Sequence, residues 1–372
     1  VRALLAPNAF KGTVTAAQAA EAMARGVHRA RPGWRTVEVP VADGGEGTAE
    51  ALASATDGKL IGLDSIDALG RPCRAYLARL GDGVTFGVDA ASASGLALLG
   101  PNELDPLGAS SYGTGLLLLR AIELGARRII LGVGNTAFVD GGAGMATALG
   151  VRFLRGDGEP VPPGGGGLRY LDRVDVSRLD PRCFDVRWQV AVDVQNPLLG
   201  PNGAAQVYAP QKGASQTDVG KLEEGLARMA DELESVCKEG LREIPGMGAG
   251  GGMALPLVGL LGADLVAGGE VVADAVGLDE HMRGCGLVIT GEGMLDGQTM
   301  MGKAPAVVAK RAAACSIPAY AVVGRVGRGV EKLREIGLLG WEETSPHRIP
   351  TPREAARLLE EGTARLISRV LF

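Results

Sequence analysis

Short apolar runs alternate with helix-spaced apolar positions over the first 60 residues. Leu4-Leu5-Ala6 reads as a strand ending at Pro7. Thr15 and Gln18 form a capping box, and Ala19, Met23 and Val27 follow at helical spacing. Val37, Val39 and Val41 alternate as a strand that ends at Asp43-Gly44-Gly45, and a helix is expected over 48–55. From residue 60 the rhythm changes. Residues 60–67, 71–80 and 84–89 read as short strands joined by Gly and Pro turns, the pattern of an antiparallel or mixed sheet. Helices are expected at 112–124 and 142–149 around a strand at 128–133, then a Pro/Gly-rich loop at 160–167, a strand at 187–194 and a long, charged, exposed helix at 216–239. The opening rhythm returns with Leu287-Val288-Ile289-Thr290, a helix over 304–314 and a strand at 318–323. The closing helix has Thr351 as N-cap, Pro352 at N1 and Glu354 at N3.

Both ends therefore read as parallel α/β and the middle as a mixed sheet. The expected architecture is α/β: a Rossmann-like parallel-sheet domain built from 1–62 and 286–372, with a second α/β domain inserted at 63–285. A chain of 372 residues suits two domains.

Composition narrows the function. The net charge is −5 from 38 basic and 43 acidic residues, and aromatics are 4%, so no basic face for nucleic acid or an acidic membrane is expected. Three histidines make a His-based metal site or a Ser–His–Asp triad a poor expectation. The five cysteines are odd in number and contain no C-x-x-C, and the first residues contain no apolar leader; both fit a soluble cytoplasmic protein. Glycine is abundant, at 58 residues, which marks many tight turns or close backbone approaches.

Four glycine-rich stretches carry carboxylates at or near strand ends: Asp43-Gly44-Gly45-Glu46, Asp140-Gly141-Gly142, Asp193 to Asn196, and Gly291-Glu292-Gly293 through Asp296. Ligands of α/β sheets bind outside the carboxyl ends of strands, and acidic groups among exposed N–H groups suit Mg²⁺ and phosphate together. The rival reading of each stretch is simple Asp-Gly turn chemistry. Only eight residues are lysine, yet Lys11, Lys212 and Lys303 each sit beside glycine in a loop, a phosphate-binding arrangement. Gly297 to Lys303 spells G-x-x-x-x-G-K but has Ala304 where a P-loop needs a hydroxyl, so a standard P-loop is rejected. Lys303 at a helix N-terminus still suits an anion. Gly248 to Gly252 reads equally as a turn or a ligand contact, and no G-x-G-x-x-G follows the first strand.

Taken in order, Asn8-Ala9-Phe10-Lys11-Gly12-Thr13, Asp43-Gly44-Gly45-Glu46-Gly47-Thr48, Ser110 to Gly115, Asp140 to Met145, Asp193 to Gly203, Pro210 to Gly213 and Gly291 to Pro305 resemble the glycerate kinase type-1 family. The resemblance runs from residue 3 to about 324. It implies ATP-dependent phosphorylation of D-glycerate, with 2-phosphoglycerate as the usual product, ATP and Mg²⁺ as cofactors, and a site in an interdomain cleft. Glycerate 3-kinase or another small hydroxy-acid kinase is the alternative, and a non-catalytic ligand-binding protein of the same fold a more distant one.

The motifs mark the site, and the parts that phosphoryl transfer needs assign the roles: Lys11, Asp43, Asp193 and Glu292 are expected to be catalytic, with Asp43 and Glu292 the candidates for the base. Nucleotide or phosphate falls to Gly12, Gly44, Gly45, Lys212, Gly291, Gly293 and Lys303. Substrate falls to Glu46, Asn196 and Asp140, and the metal to Asp193 and Asp296. The chain departs from the family pattern at Asn8-Ala9, where many members have Asp-Ser, and at Asp89, where a Glu is common.

Overall fold

The computed structural model describes residues 1–237 and 240–370. It divides into two compact units. The terminal unit comprises 1–43, 50–58 and 267–372, and the inserted unit 44–49 and 59–266.

The terminal unit is built on a five-stranded, wholly parallel sheet. Strands β1 (Arg2–Pro7), β2 (Arg35–Glu38), β11 (Leu287–Gly291), β13 (Ala319–Val323) and β15 (Leu338–Glu343) lie in the order β15-β13-β11-β1-β2. β1 and β11 are almost wholly buried, which explains why each reads as an unbroken apolar run. Helices α1 (Ala16–Ala30) and α12 (Pro352–Arg369) pack on the face carrying Leu5, Ile289 and Val322. Alternation sends Ala321 and Val323 to the other face, where α11 (Ala304–Ala314) covers them. The Thr15–Gln18 and Thr351–Glu354 capping boxes both form at their helix starts. A small parallel pair, β12 (Met294–Leu295) and β14 (Arg325–Val326), lies just beyond the ends of β11 and β13. α1 and α12 meet closely at Gly26, where a Cβ would fall 2.4 Å from the Glu360 carbonyl oxygen.

The inserted unit holds a mixed sheet, ordered β10-β9-β6-β5-β4-β3. β3 (Lys59–Ile66), β4 (Pro72–Arg79) and β5 (Thr85–Asp89) form the antiparallel part; β6 (Arg128–Gly132) and β9 (Arg187–Val192) continue it in parallel, and β10 (Asp264–Ala267) is the edge. A β7–β8 hairpin (Arg152–Leu154, Arg173–Asp175) stands apart. The helices are α3 (Ala90–Ser94), α4 (Tyr112–Glu123), α5 (Ala143–Ala148), α6 (Ala204–Tyr208), α7 (Gln216–Cys237) and α8 (Leu255–Leu261). One core joins Leu77, Phe86, Ile129, Leu131 and Val190 to Leu117, Leu118, Leu226 and Met229. α2 (Thr48–Ala55) carries the chain from this unit back to the terminal one.

The α/β class, the terminal parallel sheet and the mixed inserted sheet are as expected from the pattern. Four details differ. The chain crosses between the units at 43/44, 49/50, 58/59 and 266/267 rather than at 62/63 and 285/286 alone. Helices α9 (Gly268–Ala275) and α10 (Leu278–Met282) belong to the terminal unit because Arg311 of α11 pairs with Glu270, Asp274 and Asp279. β2 spans only Arg35–Glu38, yet the Val39 and Val41 N–H groups still reach the Leu5 and Pro7 carbonyls at 2.9 and 3.0 Å; Pro40 is tolerated between them because β2 is an edge strand and the missing N–H falls on the side away from β1. α7 is not an exposed rod: Leu222, Leu226, Met229 and Leu233 form a fully buried face, and residues 238–239 of the expected helix lie outside the described residues. Among the described residues no helix is long and apolar enough to cross a membrane.

The close approach at Gly26 sets a stability prediction. Gly26→Ala should cost about 1–3 kcal/mol by forcing α1 and α12 apart, read as a lower denaturation midpoint at unchanged m-value.

Candidate active site

In the terminal unit β1 is flanked on one side by β2 and on the other by β11, so the chain winds away from it in both directions. Such a switch point leaves a crevice at the carboxyl ends of the strands. A cavity of about 290 Å³ lies there. Its wall is assembled from the first residues after four strands: Asn8 to Lys11 after β1, Glu292 to Met294 after β11, Gly324 and Arg325 after β13, and Thr344 and Ser345 after β15. Asp43, Lys303 and the 348–350 segment complete it, with Ala355 and Leu359 of α12 behind.

The loops are pinned locally. The N–H of Asn8 donates to the Gly291 carbonyl at 2.8 Å, which holds the two strand ends together. Gly291 is required there, because a Cβ would sit 2.2 Å from the Val322 carbonyl oxygen. Phe10 and Val14 close a tight turn that presents Lys11 at its exposed tip, with Gly12 at φ +75°. Asn8 Nδ2 donates to Asp43 Oδ2 at 3.1 Å, so the uncharged residue at position 8 orients a carboxylate instead of adding one.

Glu292 is the most perturbed group of this cavity. It is buried, and its Oε1 accepts a 2.7 Å hydrogen bond from Thr299 Oγ1. Burial pushes its carboxyl up to about 7; the Thr299 hydroxyl and Lys303 pull it back, and the negative charges of Asp43 and Asp296 push it further. A carboxyl poised near neutrality in a cavity with two lysines is suited to accept a proton in a reaction at physiological pH. Lys303 is the N-cap of α11, beside that helix's unpaired N–H groups. Asp296 does not line the cavity; its Oδ1 accepts the Gln298 N–H at 2.9 Å as the N-cap of a short 3₁₀ turn over Gly297–Met301.

The remaining expected site residues lie in the inserted unit, and several have internal duties. Asp140 is fully buried: Oδ2 accepts from the Ser111 N–H and Oγ, both at 2.8 Å, and from the Gly144 N–H at 3.2 Å, while Oδ1 accepts from the Gly142 N–H at 3.0 Å. Burial raises its carboxyl above the usual range. With its lone pairs engaged and no exposed surface, Asp140 fastens the loop after β6 to the start of α4 and is not placed to touch a substrate. Lys212 is likewise internal, at 3% exposure, against the expectation of a loop cation. Its ammonium donates to the Phe138 carbonyl at 2.5 Å and to Thr136 Oγ1 at 3.2 Å, and burial lowers its pKa to about 7 against the pull of Asp140.

Asn196 spends both side-chain atoms internally, accepting from Tyr208 Oη of α6 at 2.7 Å and donating to the Asn202 carbonyl of its own loop at 2.8 Å. Glu46 is exposed, with Asn135 Nδ2 at 3.5 Å, and the Gly44–Gly45 turn packs over the end of β6. Asp193 follows β9 directly and is half-buried. Gly250, Gly251 and Gly252 form an interior turn against Val133, Phe138 and Val139.

Two features go beyond the sequence reading. Asp89, marked there only as a departure from the family pattern, is buried at the end of β5 and accepts from the Gly47 N–H at 3.0 Å and the Ala49 N–H at 3.1 Å, tying down the start of α2; burial pushes it to about 7. Arg325, Ser345 and Arg348 line the terminal cavity. The rule that loops after parallel strands face the ligand would have found Arg325, two residues past β13.

A doubly wound sheet whose strand ends gather lysines, an arginine and a near-neutral carboxyl around one cavity is that of an α/β enzyme of the phosphoryl-transferring kind. Comparison with known proteins agrees. The glycerate kinase family matches residues 3–371, and the chain belongs to that family. It is 42% identical to a glycerate kinase of Halalkalibacterium halodurans, over 90% of this chain and 88% of that protein. It is 40% identical to a glycerate 2-kinase of Escherichia coli K12, over 91% and 89%. A crystal structure of a putative glycerate kinase 2 from Salmonella typhimurium LT2 superposes with a TM-score of 0.89 at 34% identity, covering 99% of this chain and 97% of that one.

The internal role of Asp140 is open to test. Asp140→Asn turns an amide NH₂ toward N–H donors and should lower stability by on the order of 2–3 kcal/mol. The folded fraction should keep the wild-type KM for the acceptor, which a substrate-binding role would not allow.

Proposed function

We propose that this protein transfers the γ-phosphoryl group of ATP to D-glycerate and yields 2-phosphoglycerate and ADP. The observation that carries the reading is the terminal-unit cavity, where Lys11, Lys303 and Arg325 stand with Glu292 and Asp43 at the ends of four parallel strands. ATP and glycerate bring about five negative charges together, and catalysis of phosphoryl transfer is mostly the offsetting of that charge and the alignment of the reactants. The three cations and the N-terminus of α11 supply the offset.

Glu292 is the base: its carboxylate takes the proton of the acceptor hydroxyl as that oxygen bonds to the γ-phosphorus and the bond between that phosphorus and the β–γ bridging oxygen breaks. Asp43, oriented by Asn8, positions the acceptor by accepting a hydrogen bond from one of its hydroxyls. The name of the Escherichia coli relative supports C2 as the position phosphorylated.

Mg²⁺ fits the donor chemistry. Among the described residues no three His, Cys, Asp or Glu side chains come together as a cage, and Mg²⁺ with a nucleotide uses one or two carboxylates, phosphate oxygens and water. Asp296 in the terminal unit and Asp193 in the inserted unit are the carboxylates proposed for it, each tested on its own. When bound, the ion supplies charge neutralisation at the phosphates.

Incubation with ATP, Mg²⁺ and D-glycerate, read by phosphorus–proton coupling in the product, should place the ester at C2; coupling to the C3 protons would reassign the reaction to a 3-kinase, and the absence of ADP would overturn the reading. Asp193→Asn and Asp296→Asn should each lower kcat on the order of 100-fold with the fold retained if they hold the ion.

The pH profile gives a separate check. Because the working form of Glu292 is the carboxylate, kcat/KM should rise with pH through about 7 and level off above it. Glu292→Gln should lower kcat by about 100- to 10,000-fold and abolish that acid limb.

A further inference from the structure

The lining of the terminal-unit cavity mixes two kinds of residue. Lys11, Asp43, Glu292, Lys303 and Arg325 are charged, and Phe10, Met294, Ile349, Pro350 and Leu359 are apolar. Of the apolar five, Phe10 and Leu359 are buried, while Met294 and Ile349 are exposed. Glycerate carries a carboxylate and two hydroxyls on three carbons, so it has no apolar face to lay against exposed apolar side chains. A triphosphate alone has none either.

Ile349 is the informative residue. Its side chain is 63% exposed, and it lies in the segment between β15 and α12. That exposure does not come from a loose loop. Ser345 Oγ donates to the Arg348 carbonyl at 2.7 Å, the Arg348 guanidinium makes a two-point pair with Glu354 at 2.6 and 3.0 Å, and Glu354 closes the capping box on Thr351. The segment is thus held on both sides of Ile349, and the apolar side chain is presented at the cavity wall already in position. Apolar walls with a few convergent charged groups are what small-molecule and cofactor sites offer, and preorganisation of this kind lowers the ordering cost of binding.

We propose that Ile349, with Pro350, forms the seat for the base of the nucleoside triphosphate, while the charged residues of the cavity take the phosphates. The proposal rests on the reading of the protein as a nucleotide-dependent kinase. It makes Ile349 a residue that fixes donor affinity and leaves acceptor binding alone. The hydroxyl donors of the nearby wall are already engaged, since Thr344 Oγ1 donates to the Val323 carbonyl and Ser345 Oγ to that of Arg348, so the seat grips the base through its flat face.

The test compares ATP with inorganic tripolyphosphate, each titrated calorimetrically with Mg²⁺ and no acceptor, on the wild type, Ile349→Ser and Ile349→Leu. The wild type should bind ATP at least about tenfold more tightly than tripolyphosphate. Ile349→Ser should lose about fivefold to tenfold in ATP affinity and nothing in tripolyphosphate affinity, and Ile349→Leu should restore ATP binding. In turnover, the KM for ATP should rise by the same factor with the KM for glycerate unchanged. Unchanged ATP binding in Ile349→Ser, an equal loss for tripolyphosphate, or a wild type that does not prefer ATP would each overturn the seat. Failure of the wild type to phosphorylate glycerate would instead overturn the proposed reaction, and the calorimetric comparison would still be readable because it needs no acceptor.

Discussion

The terminal unit depends on one pairing, that of β1 with β11. Thr290 Oγ1 donates to the Ala6 carbonyl across a sequence separation of 284 residues, beside a five-position parallel register from Ala3–Leu287 to Pro7–Gly291. Closing so long a loop costs entropy, but that cost grows only with the logarithm of length, and two strands buried on both faces offset it. The pairing also creates the site. Asn8 to Lys11 and Glu292 to Met294 are neighbours only because the strands that precede them are neighbours, and the Asn8 N–H to Gly291 carbonyl bond continues the register one residue into the loops.

Burial raises the carboxyls of Asp89, Asp140 and Glu292 alike, yet the three have different work. What separates them is the partner set. Asp140 is saturated by two N–H groups of its own loop and both donors of Ser111; Asp89 accepts from the backbone at the start of α2. Glu292 has a single side-chain donor, Thr299, and an open cavity beside it. A perturbed carboxyl is therefore a sign of function only when its oxygens are left with capacity to spare. Lys212 makes the same point for a cation, since its charge is absorbed by the Phe138 carbonyl.

Much of this was legible in the residues. The strands at 2–7 and 287–291, the helix over 304–314 and both capping boxes follow from periodicity and cap chemistry, because local and tertiary preferences agree there. Lys11, Asp43, Glu292 and Lys303 were legible as strand-end or helix-start residues flanked by glycine, and the structure gathers them in one cavity. The burial of Asp140 and Lys212 and the inward bonding of Asn196 were not, because an Asp-Gly or Lys-Gly pair looks the same whether the side chain turns inward or outward. Leu338–Glu343 alternates too poorly to declare itself a strand; it is one because β13 offers it a parallel edge. Arg325 and Ile349 were hidden for a simpler reason: each belongs to the site through its place after a strand, and no motif marks either.

The order of segments along the chain has a consequence for synthesis. β1, α1 and β2 leave the ribosome long before β11, the central partner of β1, which follows β2 by roughly 250 residues. At about 5–20 residues per second, the apolar edge of β1 waits roughly 12–50 s for it. The inserted unit is almost wholly made within that interval and can complete its own mixed sheet before the terminal one has its middle strand. Of the strands described, β1 thus has the longest exposure of an unpaired edge, and a holding chaperone has the most time to act on it.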